Sequence, residues 1–460
     1  MFSPRLHRLL AIGISCILGS SCQPAPDFTS AKSGAGPVQI ESAGGALSAK
    51  RSKEILDQLS ARGQPTNIFD RHLALEEAIV GSPLTIGNKV LLLQDGPATY
   101  RAMFAAILAA QDHINLETYI LDDDEVGQRF AQALTDKQRQ GVRVNLIRDS
   151  VGTLRTPPEF FQRLADSGIT VLEFNPVNPL AARKNWALNQ RDHRKLLIVD
   201  GTIAFLGGIN ISSVYSGGSF SQSSKKRPDA NLAWRDTDLQ LQGPVVAEFQ
   251  KLFVETWEKQ KGPPLEKRGF FPPLKNAGNH VVRAIGSSPS DPFSLIYATL
   301  LSAMNSAETS VYLTNAYFAP DPQLLAVLEA AAGRGVDVKL ILPSQTDSWL
   351  VFHAGRGYYE QLLRAGVKIY ERRGVILHSK TALVDGVWAT VGSTNLDWRS
   401  FLHNEELNAV VLGLEFGSQV QAMFNQDLAG SDAIILAQWQ QRPLDLRIKE
   451  MFARVWEYWL

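Results

Sequence analysis

Two sets of side chains that can move protons and hold anions recur in one order, 185 residues apart. His193, Lys195, Asp200, Gly207 and Asn210 are matched by His378, Lys380, Asp385, Gly392 and Asn395. The offsets from each histidine are the same: two to Lys, seven to Asp, fourteen to Gly and seventeen to Asn. A lone histidine on a strand is ordinarily a packed structural residue, and His72, His113, His280, His353 and His403 are read that way. The repeated spacing sets His193 and His378 apart as candidates for nucleophilic or acid–base work.

The elements that must position them can be read from the flanking residues. Residues 196–200 (LLIVD) and 381–385 (TALVD) are short apolar runs of the kind that form buried strands. Alternate residues of a strand share a face, so each His and the Lys two positions on point the same way. A Gly-rich turn followed by Asn is expected to bring a second strand back beside the first, with small residues allowing close approach. One imidazole, one ammonium and one amide then converge in each half.

This pattern resembles the paired His-Lys-Asp signature of the phospholipase D superfamily. The likeness extends from about residue 83 to the end and is greatest to bacterial cardiolipin synthases. It is carried by NQRDHRKLLIVDGTIAFLGGIN, WRDTDLQLQGP, NAYFAPDPQLL, YYEQLLRAGVKIYE and HSKTALVDGVWATVGSTNLDWRS. The resemblance implies covalent catalysis on a phosphodiester. One His attacks phosphorus, the other protonates the leaving alcohol and then deprotonates the acceptor, and no metal or other cofactor takes part.

On the same resemblance Lys195, Lys380, Asn210 and Asn395 donate to the non-bridging oxygens, and His193 is favoured as nucleophile. Glu406, 28 residues after His378, is expected to orient that second histidine. Asp236 matches for the first, with Asp238 two residues away on the same strand face. Ser393, Arg399, Ser400 and Gly208 are candidates for binding substrate, and Gly208 standing where the other half has Ser393 could differentiate the two roles. Asp200 and Asp385 are expected at strand ends, binding turn amides rather than substrate. Tyr119 and Tyr317, in equivalent strands, are read as core or pocket wall. The expected partners are phospholipids, phosphatidylglycerol first, and a membrane surface. The expected reaction is phosphatidyl transfer giving cardiolipin, with hydrolysis to phosphatidic acid and nuclease action as alternatives.

Length and composition bound these readings. A chain of 460 residues exceeds what one core usually serves, so two domains are expected. Formal net charge is zero, which argues against a nucleic-acid binder. Arg5, His7 and Arg8 precede an apolar run over 9–18, too short to span a bilayer, so residues 1–22 read as an export signal. Leu18-Gly19-Ser20-Ser21-Cys22 looks like a lipoprotein processing site, making Cys22 the lipidated residue and the bacterial cell envelope, facing the periplasm, the expected location. The only cysteines, Cys16 and Cys22, lie there, which leaves the mature fold without a disulfide. Residues 23–50, rich in Ala, Gly, Ser and Pro, are expected to form a flexible tether.

Each half repeats as a whole. Residues 105–121, 129–149 and 160–174 correspond to 298–318, 324–343 and 358–371, in the order helix, strand, helix, strand, helix, strand. That alternation predicts an α/β fold of two pseudo-symmetric phospholipase D-like α/β/α sandwich domains, with largely parallel strands, over 51–261 and 280–460. The Pro-rich stretch 262–279 is the expected linker. A polar insertion over 216–233 follows the first motif and could touch substrate or be a surface loop. The amphipathic stretch 447–460 is expected to pack its apolar stripe on the second half, with a membrane interface as the alternative.

Overall fold

The computed structural model describes residues 38–63, 66–178, 187, 189–217 and 232–457. The signal over 1–22 with Cys22, residues 23–37, and most of the 216–233 insertion lie outside the described residues. Among the described residues, seven longer strands frame the first half: β1 (Leu84–Leu93), β2 (His113–Thr118), β3 (Arg143–Asp149), β4 (Thr170–Phe174), β5 (Lys195–Val199), β6 (Ile203–Gly207) and β7 (Asp238–Gln242). Seven more build the second: β8 (His280–Ser287), β9 (Ser310–Asn315), β10 (Asp337–Pro343), β11 (Lys368–Arg372), β12 (Lys380–Val384), β13 (Trp388–Gly392) and β14 (Asn404–Leu412).

The first sheet runs β1-β7-β6-β5-β2-β3-β4 and the second β8-β14-β13-β12-β9-β10-β11, the same order strand for strand. β1 pairs antiparallel with β8, so the two sheets are continuous across the pseudo-dyad. Among these fourteen strands, parallel pairing occurs within β2-β3-β4 and β9-β10-β11, where a helix crosses between strands. The motif strands are antiparallel, contrary to the expectation of a largely parallel sheet, because β5–β6 and β12–β13 are hairpins. Their turns are Asp200-Gly201 and Asp385-Gly386, all four residues at positive φ, a conformation that Asp and Gly tolerate. The glycines at 207 and 392 end the returning strands rather than making the turns.

Continuous apolar runs in β5 and β12 follow from burial on both faces. Leu196 and Ile198 enter a core between the sheets with Phe249, Phe253 and Trp257 of the helix Val246–Lys259, and with Phe416, Val420 and Met423 of its counterpart Leu414–Ala429. Leu197 and Val199 face the other way, under the helices Gly96–Ala109, Glu125–Arg139 and Pro158–Asp166.

Two expectations need correction. The fold begins before residue 50: Ile40 is fully buried, its segment pairs parallel with β1, and its N–H donates to Ser52 Oγ at 3.0 Å. Average composition concealed that one anchoring side chain. The helix Leu444–Val455 does not bury its apolar stripe. It docks through Ala453 and Glu450, leaving Leu444, Ile448, Met451, Phe452, Val455 and Trp456 exposed. Among the described residues no helix is long and apolar enough to cross a membrane.

Asp200 and Asp385 lock the layers together. Asp200 accepts from the amides of Gln111, Asp112 and His113 at 2.8–3.0 Å, where the first helix turns into β2. Asp385 accepts likewise from Glu308, Thr309 and Ser310 ahead of β9. Replacing either by Ala orphans three amides, so each is expected to cost about 2–4 kcal/mol of stability, read from the denaturation midpoint, without changing KM.

Candidate active site

The two motifs meet because each half lends a short strand to the other. Arg191–Asp192, just before His193, pairs parallel with Asn404–Glu405 at the start of β14. In mirror fashion Ile376–Leu377, just before His378, pairs with Trp234–Arg235. The backbone follows: the His193 amide donates to the Glu405 carbonyl at 3.0 Å and the His378 amide to the Arg235 carbonyl at 2.8 Å.

One residue beyond each of those carbonyls stands a buried carboxylate. Glu406 takes His193 Nδ1 at 3.1 Å, and Asp236 takes His378 Nδ1 at 2.6 Å. The sequence-based pairing is thereby reversed, since each acid orients the histidine of the opposite half. Proximity along the chain favoured the same-half partner; the exchanged strands determine the real one. Asp238 is separate, accepting from the Ile209 amide at 3.1 Å.

Ser393 and Gly208, expected against substrate, lie against these acids instead. The Ser393 hydroxyl donates to Glu406, while a Cβ at Gly208 would stand 2.2 Å from Asp236 Oδ1. Ser400 is buried and accepts from the Asn395 amide at 3.2 Å, and Arg399 reaches Asn189 Oδ1 at 3.2 Å. Those two positions support neighbouring structure in this state. The Asn210 amide donates to the Tyr215 hydroxyl at 2.9 Å, and Asn395 Oδ1 is buried without a hydrogen-bond partner. Both lysines curl back onto their own motifs. Lys195 Nζ donates to the His193 carbonyl and Lys380 to the His378 carbonyl, with Lys380 Nζ also 3.0 Å from His378 Nδ1.

Aromatic rings wall the cleft. Tyr119 stands edge-on to His193 at 5.0 Å, and Tyr317 occupies the matching place beside His378 at 5.9 Å. Sequence reasoning missed Trp234, 5.0 Å from His378, and Tyr215, whose hydroxyl is 3.4 Å from His378 Nδ1. Trp234 stands two residues before Asp236, a placement that could have drawn attention to it. Arg194, between the motif His and Lys, points away from them as strand alternation requires. It is buried, donating to Glu405 Oε2 at 3.0 Å and the Glu406 carbonyl at 3.1 Å, and so braces the strand that carries the acid.

Burial and the neighbouring lysines favour the neutral form of both imidazoles. Burial and then Lys195 push His193 down to about 4 against the pull of Glu406. Burial and Lys380 lower His378 against Asp236. Burial, with repulsion from Lys380, brings Lys195 to about 7, and burial lowers Lys380 as well. Burial raises Glu406, but His193, Lys195 and Ser393 outweigh it and hold the carboxyl below its usual range. Such a cluster offers two lone-pair nitrogens and two ammoniums to an anionic ester.

Two like sandwiches, each lending a His-Lys-Asn set to one cleft, define an enzyme of the phospholipase D superfamily. The family model "Cardiolipin synthase, PLD-like domain" matches residues 103–257 and 300–428. The chain belongs to the cardiolipin synthase family, phosphatidyltransferases of that superfamily. It is 35% identical over 386 residues to a cardiolipin synthase of Geobacillus sp. (strain WCH70), covering 83% of this chain and 74% of the relative. It is 36% identical to cardiolipin synthase A of Pseudomonas aeruginosa (strain LESB58), covering 76% and 69% respectively. The crystal structure of phosphatidylserine synthase from Haemophilus influenzae Rd KW20 shares the fold, with TM-score 0.60 and 13% identity, over 85% of this chain and all of that one.

Gly208→Ala drives a methyl into Asp236 and is expected to lower kcat by about 10²-fold or more, whereas Ser393→Ala, which only removes a bond to Glu406, is expected to cost about tenfold. Steady-state kinetics at matched thermal stability distinguishes the two. For pH, the lowered Lys195 amine loses its charge as pH rises through about 7, so kcat/KM is expected to fall there. A bound phosphodiester restores the proton, which keeps kcat flat over the same range. Lys195→Arg, whose charge persists, is expected to move the alkaline limb of kcat/KM upward by about one unit or more, read from pH profiles of both constants.

Proposed function

We propose that this enzyme is a membrane-associated phosphatidyltransferase that joins two phosphatidylglycerol molecules into cardiolipin and releases glycerol. Family membership supports the reading, and one observation carries its chemistry: two imidazoles, each held at Nδ1 by a buried carboxylate of the opposite half. With Nδ1–H fixed, the Nε2 lone pair of His193 attacks phosphorus and the bond to the glycerol oxygen breaks. Binding of the anionic ester favours the imidazolium form of His378, which takes up a proton from solvent and delivers it to that oxygen. A hydroxyl of the second phosphatidylglycerol then yields its proton to His378 and attacks the phosphohistidine, which frees His193. The lysines neutralise the non-bridging oxygens throughout.

Water, at about 55 M, competes for the same intermediate, so the acceptor must be held at a higher effective molarity, well within the roughly 10⁵ M that orientation can supply. The reading includes export and anchoring through a lipid on Cys22, with the enzyme facing the periplasm; the leader over 1–22 supports it.

Acyl-labelled phosphatidylglycerol is expected to give labelled cardiolipin and free glycerol. Phosphatidic acid as the product would make the enzyme a hydrolase, and no product would end the reading. His193→Ala and His378→Ala are each expected to lower turnover by at least about 10⁴. With phosphatidyl-p-nitrophenol, whose leaving group needs no acid, His378→Ala is expected to retain a burst and a trapped phosphohistidine while His193→Ala shows neither. The opposite pattern would exchange the two roles.

A further inference from the structure

We propose that the helix Leu444–Val455, together with Trp349, is a docking surface that lies in the plane of an anionic phospholipid membrane and turns the catalytic cleft toward it. This rests on the reading that the substrate is a membrane lipid, and adds where and how the enzyme meets it.

The helix is amphipathic in an inverted sense. Leu444, Ile448, Met451, Phe452, Val455 and Trp456 are 47–73% exposed. Helical spacing gathers the first five of these on one face, with Trp456 at its edge. The opposite face is the one that docks: Ala453 is buried, and the buried Glu450 carboxylate receives the Arg442 guanidinium at 2.8–3.1 Å. A contiguous exposed apolar stripe of this size marks an interaction surface on a soluble fold.

Charge selects the occupant. Arg447 and Arg454 flank one side of the stripe, the Arg454 guanidinium lying over the Tyr358 ring at 4.3 Å, while on the other side Lys449 pairs with Asp445 at 3.1 Å, so the cationic edge that can reach lipid phosphates while the apolar side chains enter the acyl layer is the arginine side. Along the stripe runs an open groove of about 700 Å³, in which Arg442, Arg447 and Arg454 stand with Glu450 and Glu457 beside the apolar side chains. An anionic lipid surface complements both parts.

Continuity with the catalytic cleft gives the surface its orientation. Trp349, 47% exposed, has its ring 6.4 Å from that of Phe452. Two residues earlier Asp347 accepts from the Tyr317 hydroxyl, and the Tyr317 ring stands 5.9 Å from His378. The first half repeats the device: Leu154 is 69% exposed, and nearby Gly152 packs on the backbone of Tyr119, the ring beside His193. From each histidine, a tyrosine leads outward to an exposed apolar side chain.

The test uses the full chain with Cys16→Ala and Cys22→Ala, so that no lipid on Cys22 contributes, and Met451→Cys labelled with an environment-sensitive fluorophore. On adding phosphatidylcholine–phosphatidylglycerol vesicles, emission is expected to rise severalfold, shift to the blue, and be quenched by brominated acyl chains. A label that stays water-like on vesicle-bound protein overturns the proposal, as does one already shielded in buffer, which would mean a second copy or another part of the chain covers the face. In a second arm, Leu444→Ser, Ile448→Ser, Met451→Ser and Val455→Ser are combined. The rate on vesicle phosphatidylglycerol is expected to fall more than about tenfold, and the rate on monomeric short-chain phosphatidylglycerol to stay within about twofold. Equal loss on both substrates, or loss on neither, overturns it. If the unaltered enzyme turns over neither substrate, the functional reading fails while the fluorescence arm still decides the docking.

Discussion

A carboxylate from one half holding the imidazole of the other is the interaction on which this active site depends. His193 cannot be oriented until β14 of the second half lies beside residues 191–192, and His378 cannot until residues 234–235 lie beside 376–377. Neither half is a working site with a missing partner; each is an imidazole without its tautomer fixed. Docking of the halves is therefore catalytic assembly as much as folding. The continuous sheet through β1 and β8, and the core shared by Val246–Lys259 and Leu414–Ala429, make that docking rigid.

The same arrangement explains why so much charge can be buried. Two lysines, two carboxylates and two imidazoles stand in one enclosed place, where unpaired ions are costly. Each lysine answers a carboxylate electrostatically, but the two lysines also repel, and burial brings Lys195 down to about 7. That residual strain is directed: an incoming phosphodiester adds the negative charge that the lysines favour. Function lies in this incomplete compensation, since a fully neutral cluster would have no preference for an anion.

Spacing in the sequence made the fold and the paired motifs legible, because periodicity two along a strand and the offsets of two, seven, fourteen and seventeen within each motif are local facts. The repeat of helix and strand was legible for the same reason. Strand direction was not read correctly, although Asp200-Gly201 and Asp385-Gly386 carry the dipeptide that marks a hairpin. The crossed acids were beyond reach: nothing local to Asp236 or Glu406 says which histidine it will face, because two-residue strands exchanged between halves decide it. Tyr215 was missed for the same reason, as it contacts His378 from the other half, whereas Trp234 at least stands close to Asp236 in the chain. The stripe on Leu444–Val455 was legible as amphipathic, but whether its apolar face turns inward depends on what the neighbouring surface offers.

The pseudo-symmetry is broken where it matters for chemistry, and the break has a steric logic. Glutamate is one methylene longer than aspartate, so equal strand positions cannot bring both carboxylates to equivalent imidazoles without adjustment. On the aspartate side Gly208 removes a side chain that would meet Asp236 Oδ1 at 2.2 Å, and the Thr237 amide caps that oxygen at 2.8 Å. On the glutamate side Ser393 fills the corresponding space and caps Glu406 with a hydroxyl. A capping amide is fixed by the backbone, whereas a hydroxyl can rotate and accept as well as donate, and Ser393 also accepts from the Leu407 amide at 3.0 Å. Two histidines with the same motif thus rest on acids of different adjustability, so the two imidazoles are not chemically equivalent even though their motifs are.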